Sequence, residues 1–450
     1  VDPVTKYRLS NEGLLLVQPT GSGKTRVAIQ ATQGGSTTVV GPASITKNFE
    51  NEENKAYGRT TKRNVTTFNM TARGNKLPGG ENLVIDEAHN IRNPETKAFH
   101  GLAGERSKYH KALLMTASPI VNEPYDIVPQ INMVAGKEVL PSNKKDFYGR
   151  YYKEVSIDPG FINKLRGVTP GSIQILRDPE GLRRATSRYT HVADTREFEK
   201  YLPKRQEEIV KVPMSRLQED YYKYLENKVP PSLRYKIKSG LPPSKAESSN
   251  LNAYLTGLRQ VTNTNSPFTN DPQLVRHPKI DRIVQDLNKE VSSGGKVLVY
   301  SNFLDAGLNS IKRQLVSKGI RYNEVVGDMS KSIRDKQVAQ YNTDKSKVML
   351  ISGAGAEGLN LPKTTLIQLT EPHWNKARLY QAASRGIRRG DDPNRTVKVR
   401  TYLSTFADRR PELLGYRLGF KPQKSADEYL YDISERKNRQ SQELLRALKS

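Results

Sequence analysis

The chain has no cysteine, which excludes disulfides, thiol nucleophiles and thiolate metal sites together. Histidine is scarce, at six residues, and no two of these stand at metal-binding spacing. Apolar residues make up only 35% of the chain and mean hydropathy is −0.70. No apolar run approaches the roughly 20 residues of a membrane span. The opening VDPVTKYRLS is neither a signal peptide nor a basic amphipathic presequence, and it lacks a starting Met, so it reads as a trimmed chain or a fragment. The expectation is a soluble, cytoplasmic protein.

Acidic residues are also short, at 47 against 73 Lys plus Arg, for a net charge of +26 and a pI near 9.8. Such an excess favours a polyanionic partner, because neutralising phosphates releases counterions. At 450 residues the chain is too long for one compact core. The short apolar runs LLLV (14–17), TTVV (37–40), VTTF (65–68), LVID (83–86) and ALLMT (112–116) suit buried parallel strands, each followed by a helix-compatible stretch. The alternation predicts an α/β doubly wound domain over 1–135. Over 136–277 Pro, Lys, Arg and Tyr dominate, and helical insertions with a linker are expected. KVLVYSNF (296–303), VMLISG (348–353), TLIQLT (365–370) and VKVRTYL (397–403) restore the alternation and predict a second α/β domain over 278–420, followed by one C-terminal helix over 421–450.

Two motifs carry chemistry. In VQPTGSGKT, Val17 to Thr25, a strand runs into a Gly/Ser loop and then a helix, the context a phosphate-binding loop requires. The backbone of Thr20, Gly21, Ser22 and Gly23 would cradle phosphate, Lys24 would reach the β- and γ-phosphates, and Thr25 would ligate Mg²⁺. Gln18 stands where that pattern asks for Gly, away from the phosphate-contacting end. In VIDEAHN (84–90) a strand delivers two acids at its carboxyl end. Asp86 would hold Mg²⁺ through water, and Glu87 would polarise the attacking water.

GSGKT followed by DEAH resembles the nucleotide site of superfamily 2 helicases and translocases. GPASITKNFENE (41–52), DEAHNIRNPETKAF (86–99) and LLMTASPIVNEPYDIVPQIN (113–132) are similar to the Swi/Snf-type DNA translocases. GDMSKSIRDKQVAQYN, LISGAGAEGLNL, LTEPHWN and QAASRGIRRG follow in the order of that family. EPHWN and the compact size are most similar to viral and phage members, among them poxvirus-type DNA-dependent NTPases and branch-migration helicases of tailed phages. The resemblance implies two RecA-like domains, ATP and Mg²⁺ as cofactors, and a monomeric motor on DNA with replication, recombination or transcription partners, at the nucleoid or a site of viral or phage DNA metabolism. It implies arginine fingers at Arg385 and Arg388 that reach the γ-phosphate across a cleft, Gln381 near the same phosphate, and a coupling segment at Thr116, Ala117 and Ser118. Nucleic acid would lie along Pro42, Ser44, Thr67, Ser301, Asn302, Asn360 and Trp374, with Glu357 near the cleft and Arg389 on a basic face.

The chain departs from the family pattern in several places. The base-reading segment that normally precedes the phosphate loop is absent or cut off, Asp391 stands in place of a usual Gln, Glu357 in place of a common Gly, and TASP in place of Thr-Gly-Thr-Pro or Thr-Ala-Thr-Pro. No phosphate or Mg²⁺ ligand is lost. The leading expectation is an ATP-driven motor on double-stranded or branched DNA. An RNA helicase, or a nucleic-acid-binding subunit with a vestigial ATPase, is the alternative.

Overall fold

A computed structural model describes residues 2–42, 49, 51–54, 63–165, 167–355, 359–388, 391–407 and 423–449. The chain divides into two compact units, the first Val1–Lys153, Gln174–Lys200 and Lys437–Ser450, the second Glu154–Ile173 and Tyr201–Arg436.

The first unit is built on a sheet of β1 (Gly13–Val17), β2 (Thr37–Gly41), β3 (Asn64–Thr67), β4 (Gly80–Asp86), β5 (Tyr109–Thr116) and β8 (Thr190–Val192), in the order β3-β2-β4-β5-β1-β8. Every pairing in it is parallel. The uninterrupted burial of β1 follows from that architecture, since a parallel sheet is covered on both faces. Period-two alternation sorts its side chains accordingly. Leu15, Val17, Leu83, Ile85, Ala112 and Leu114 join one core, while Leu14, Leu16, Val39, Val84, Leu113 and Met115 join the other. Gly13 has a φ of 131°, and a Cβ there would lie 1.9 Å from the Ala112 carbonyl oxygen, so only glycine lets β1 start against β5.

The second unit repeats the plan with β9 (Lys204–Pro213), β10 (Val297–Ser301), β11 (Asn323–Val325), β12 (Val348–Ser352), β13 (Leu366–Leu369) and β14 (Thr396–Thr405), ordered β11-β12-β10-β13-β14-β9 and again parallel throughout. Leu298, Tyr300, Met349 and Ile351 face one core, and Val297, Val299, Val348 and Leu350 the other. A separate helical core gathers Tyr222, Leu233, Ile237, Leu251, Leu255 and Leu258 with Tyr429 and Ile433.

The two α/β sheets and the single C-terminal helix, Ala426–Leu448, agree with the fold class read from the sequence. The stretch 136–277 is more mixed than its composition suggested. It holds helices at Arg216–Glu226, Pro231–Ser239 and Lys245–Asn263, and also β6 (Tyr152–Ile157) paired with β7 (Gly171–Leu176), together with β8 and β9. Strand β9, KRQEEIVKVP, lies at a sheet edge with most side chains in solvent, so it has no apolar run to signal it. Its ten residues are registered on β14, and Arg400 of β14 binds Glu208 of β9 at 2.7 Å.

Candidate active site

The functional side chains of the first unit converge at the carboxyl edge of its sheet, where parallel α/β sheets bind ligands. Val17 pairs with Thr116, and Asp86 with Met115, so β1, β4 and β5 end side by side. The loop leaving β1 turns through left-handed backbone at Gly21 (φ 81°) and Gly23 (φ 93°), and the helix Lys24–Ala31 starts directly after it. Gly23 offers no capping side chain to that helix, which leaves the first-turn N–H groups facing the loop. Lys24 is buried, and its Nζ donates to the Gln18 and Pro19 carbonyls, both at 3.3 Å.

Gln18 turns out to be part of the loop's construction. It is buried, its Oε1 accepts from Ser22 Oγ at 3.4 Å, and its backbone N–H donates to the Thr116 carbonyl at 3.1 Å. A glycine would keep only the backbone bond.

Asp86 and Glu87 end β4 and begin the turn after it. Glu87 adopts left-handed backbone (φ 52°), an uncommon conformation for a residue with a side chain. Burial, and then the adjacent Glu87 carboxylate, push the Asp86 carboxyl up to about 6, against the opposing charge of Lys24. The Glu87 N–H donates to Asp86 Oδ1 at 3.0 Å. This is a crowded negative site beside one lysine, and a hard divalent cation would relieve it. The oxygen donors Asp86 and Thr25 suit Mg²⁺, which is commonly held by one or two carboxylates plus substrate phosphates. Among the described residues no cluster of three His, Asp or Glu side chains could hold a metal without that help.

A chain of close contacts runs outward from these acids. Glu87 Oε2 lies 3.4 Å from His89 Nδ1, His89 Nδ1 lies 3.2 Å from Thr116 Oγ1, and Thr116 Oγ1 accepts from the Ser118 N–H at 3.1 Å. Thr116 and Ser118 were expected to couple the ATP site to the nucleic-acid track, together with Ala117 between them. His89 was not singled out from the sequence, although its place in DEAH could have drawn attention to it.

In the second unit, Gln381 lies on the helix Lys376–Ala383, and Arg385 and Arg388 follow it. Arg388 donates from Nη2 to the Leu359 carbonyl at 2.5 Å, while its buried Nε has no hydrogen-bond partner among the described residues. Burial, and then the charge of neighbouring Arg385, pull its guanidinium down to about 10. The Leu361 N–H donates to the Arg385 carbonyl at 2.9 Å. Asp391 binds Arg395 at 2.9 Å and accepts from the Lys363 N–H at 3.3 Å, so it ties this segment to the loop before β13.

The residues expected along nucleic acid are placed unevenly. Pro42 and Thr67 stand at the ends of neighbouring strands, since Gly41 pairs with Thr67, and Thr67 caps the helix Phe68–Ala72 by accepting the Met70 N–H at 3.3 Å. Ser301 is fully buried, and its hydroxyl meets both oxygens of Glu371 at 3.1 and 3.0 Å, so it is not presented to a phosphate. Asn302 is half-buried and bonded to the same Glu371 through its backbone and its Nδ2. Glu371, which sequence reasoning passed over, also accepts from Asn263 Nδ2 at 3.1 Å. Asn360 is exposed. Trp374 packs against the helical core, its Nε1 donating to Asn252 Oδ1 at 2.8 Å. Ser44, Glu357 and Arg389 lie outside the described residues.

Two six-stranded parallel α/β units, the first ending in a phosphate-type loop and an acid pair, define a tandem RecA-like ATPase core. The SNF2-related domain family matches residues 45–267, and the helicase conserved C-terminal domain matches residues 278–390. The chain belongs to the superfamily 2 helicases that carry a SNF2-related domain. A protein of Acanthamoeba polyphaga mimivirus, whose name proposes an ATP-dependent RNA helicase, is 28% identical over 96% of this chain and 92% of its own length. A termination factor NPH-I homolog of African swine fever virus is 23% identical over 94% of this chain and 73% of its own. Human chromodomain-helicase-DNA-binding protein 1 is 22% identical over 72% of this chain and 18% of its own. Among solved structures, a Sulfolobus solfataricus SWI2/SNF2 ATPase core in complex with dsDNA is 21% identical, at a TM-score of 0.37 and a coverage of 99% and 95%. No described helix is long and apolar enough to cross a membrane.

Proposed function

We propose that the chain hydrolyses ATP to drive movement along DNA, either duplex DNA or its forks and junctions. The observation that carries this is the gathering of Lys24, Thr25, Asp86 and Glu87 at one sheet edge, with the His89–Thr116–Ser118 relay leading away from it. The loop amides of Thr20 to Gly23 bind phosphate oxygens, and Lys24 leaves its carbonyl partners for the β- and γ-phosphates. Thr25 and Asp86 would hold Mg²⁺, which when bound neutralises charge on the phosphate oxygens. Glu87 accepts a proton from the attacking water, and its left-handed backbone fixes where the carboxylate stands. Arg385 and Arg388 would supply positive charge to the phosphoryl group in transfer, with Gln381 as a further proposed contact. The relay through Thr116 reports the state of Glu87 to the segment that follows β5.

A net charge of +26 supports a polyanionic track, and Pro42, Thr67, Asn302 and Asn360 are its proposed contacts. RNA is the second reading, favoured by the name of the mimivirus relative. ATPase rates measured with duplex DNA, forked DNA, four-way junctions and RNA separate the two. Stimulation by DNA forms is expected, and stimulation by RNA alone would overturn the DNA assignment.

A further inference from the structure

Among the described residues, the loop between β6 and β7 exposes large apolar side chains in a way the rest of the surface does not. Elsewhere exposed residues such as Leu9, Val316 and Tyr224 are scattered singly, as on most soluble proteins. Here the helix Phe161–Leu165 buries none of its residues, and Phe161, Ile162 and Leu165 are 76%, 64% and 74% exposed. A cluster of this kind marks an interaction surface.

The tip is held in place rather than left loose. Gly160 and Gly167 turn through left-handed backbone on either side of the helix. Lys164 binds Asp158 at 2.7 Å, and the Val168 N–H donates to the Asn163 carbonyl at 2.9 Å. Asn163 Nδ2 reaches back to Tyr235 Oη at 2.7 Å, and the Thr169 N–H donates to Ser232 Oγ at 3.3 Å. Beneath them the fully buried Lys236 donates to Thr169 Oγ1 at 2.9 Å and pairs with Glu247 at 2.5 Å. Asn163 therefore points to the base of the tip, while Phe161, Ile162 and Leu165 face solvent.

Charge selects the occupant. Residues 152–176 and 227–247, the hairpin and the segment it rests on, carry eight Lys and Arg against three Asp and Glu. Asp158 and Glu247 are paired with Lys164 and Lys236, and Lys238 is paired with Glu226, so the positive charge left to the surround is the excess of the remaining Lys and Arg over Glu154. An apolar protein groove has no need of this basic surround, whereas a nucleic-acid duplex meets it with phosphates and offers stacked bases to the apolar tip.

We propose that residues 161–165 form a wedge that enters the base stack where the strands of a duplex diverge. Phe161 stacks on the terminal base, and Ile162 and Leu165 fill the opened step. The inference rests on the nucleic-acid reading of the preceding section.

The test is a forked DNA with 2-aminopurine at the junction base, whose fluorescence rises on unstacking, measured alongside fork affinity and duplex-stimulated ATPase. The unaltered protein should raise the signal. The variant F161S/I162S/L165S should keep its melting temperature and its duplex-stimulated ATPase while losing the signal, with fork affinity weakened by about tenfold. Phe161→Trp should retain the signal. A triple variant that unstacks the junction base like the unaltered protein overturns the wedge, as the tip would then face another partner such as a protein. Loss of duplex-stimulated ATPase in that variant also overturns it, by making the tip a general binding surface. If the unaltered protein is stimulated by nucleic acid yet unstacks nothing, the wedge falls alone. If no nucleic acid stimulates it, the proposed function falls first and takes the wedge with it.

Discussion

Asp86 and Glu371 occupy comparable places: each is an acid at the carboxyl end of a central strand of a six-stranded parallel sheet, Asp86 closing β4 and Glu371 just beyond β13. Their surroundings differ. Glu371 is fully buried and takes hydrogen bonds from Ser301, Asn302 and Asn263, so its oxygens are occupied by protein donors. Asp86 accepts the neighbouring Glu87 N–H and is crowded by the Glu87 carboxylate, which with burial pushes it up to about 6. The first pattern is that of a group which holds structure. The second is that of a group which gains by binding a cation. Position at a strand end is thus a poor guide to function until the hydrogen bonds of the acid are counted.

The largest effect expected concerns the cation of the second unit. Arg388→Ala should lower nucleic-acid-stimulated turnover by roughly 10³–10⁵-fold, in keeping with an arginine that stabilises a transferring phosphoryl group. Arg388→Lys should not restore it, because an ammonium does not reproduce the guanidinium fork. Steady-state ATPase assays measure both. Next, Glu87→Gln should reduce turnover by about 10²–10⁴-fold while nucleotide binding and melting temperature stay near those of the unaltered protein. Glu371→Ala should do the reverse. By leaving Asn263, Ser301 and Asn302 without their acceptor, and Arg259 without an opposing charge nearby, it should cost about 3–5 kcal/mol of stability, seen as a lower melting temperature. A Glu371→Ala protein that melts normally, or a Glu87→Gln protein that melts early, would break the contrast between the two acids. The smallest effect expected is that of Gln18→Gly, which restores the common loop residue but removes the bond to Ser22. A loss of about 0.5–1.5 kcal/mol, read by thermal denaturation, would place Gln18 as a brace of the loop.

The sequence revealed the parts of the molecule that depend on local pattern. Buried parallel strands such as LLLV, LVID and VMLIS are continuous apolar runs, and GSGKT is a local backbone requirement, so both can be read without tertiary knowledge. Strand β9 could not be read that way, because an edge strand with exposed charged residues owes its existence to pairing with β14, nearly two hundred residues away. Glu371 escaped notice for a similar reason: its partners Asn263 and Ser301 are distant in sequence and meet only in the fold. Ser301 shows the opposite case. Its motif suggested a phosphate contact, and burial turned its hydroxyl inward. Trp374, which the resemblance places along nucleic acid, is partly buried against the helical core and donates to Asn252.

The most direct test of the account is ATP turnover with and without duplex DNA, for the unaltered protein and for Glu87→Gln. The account predicts DNA-stimulated hydrolysis in the first and its loss in the second, with ATP still bound. Equal turnover in the two proteins would contradict it.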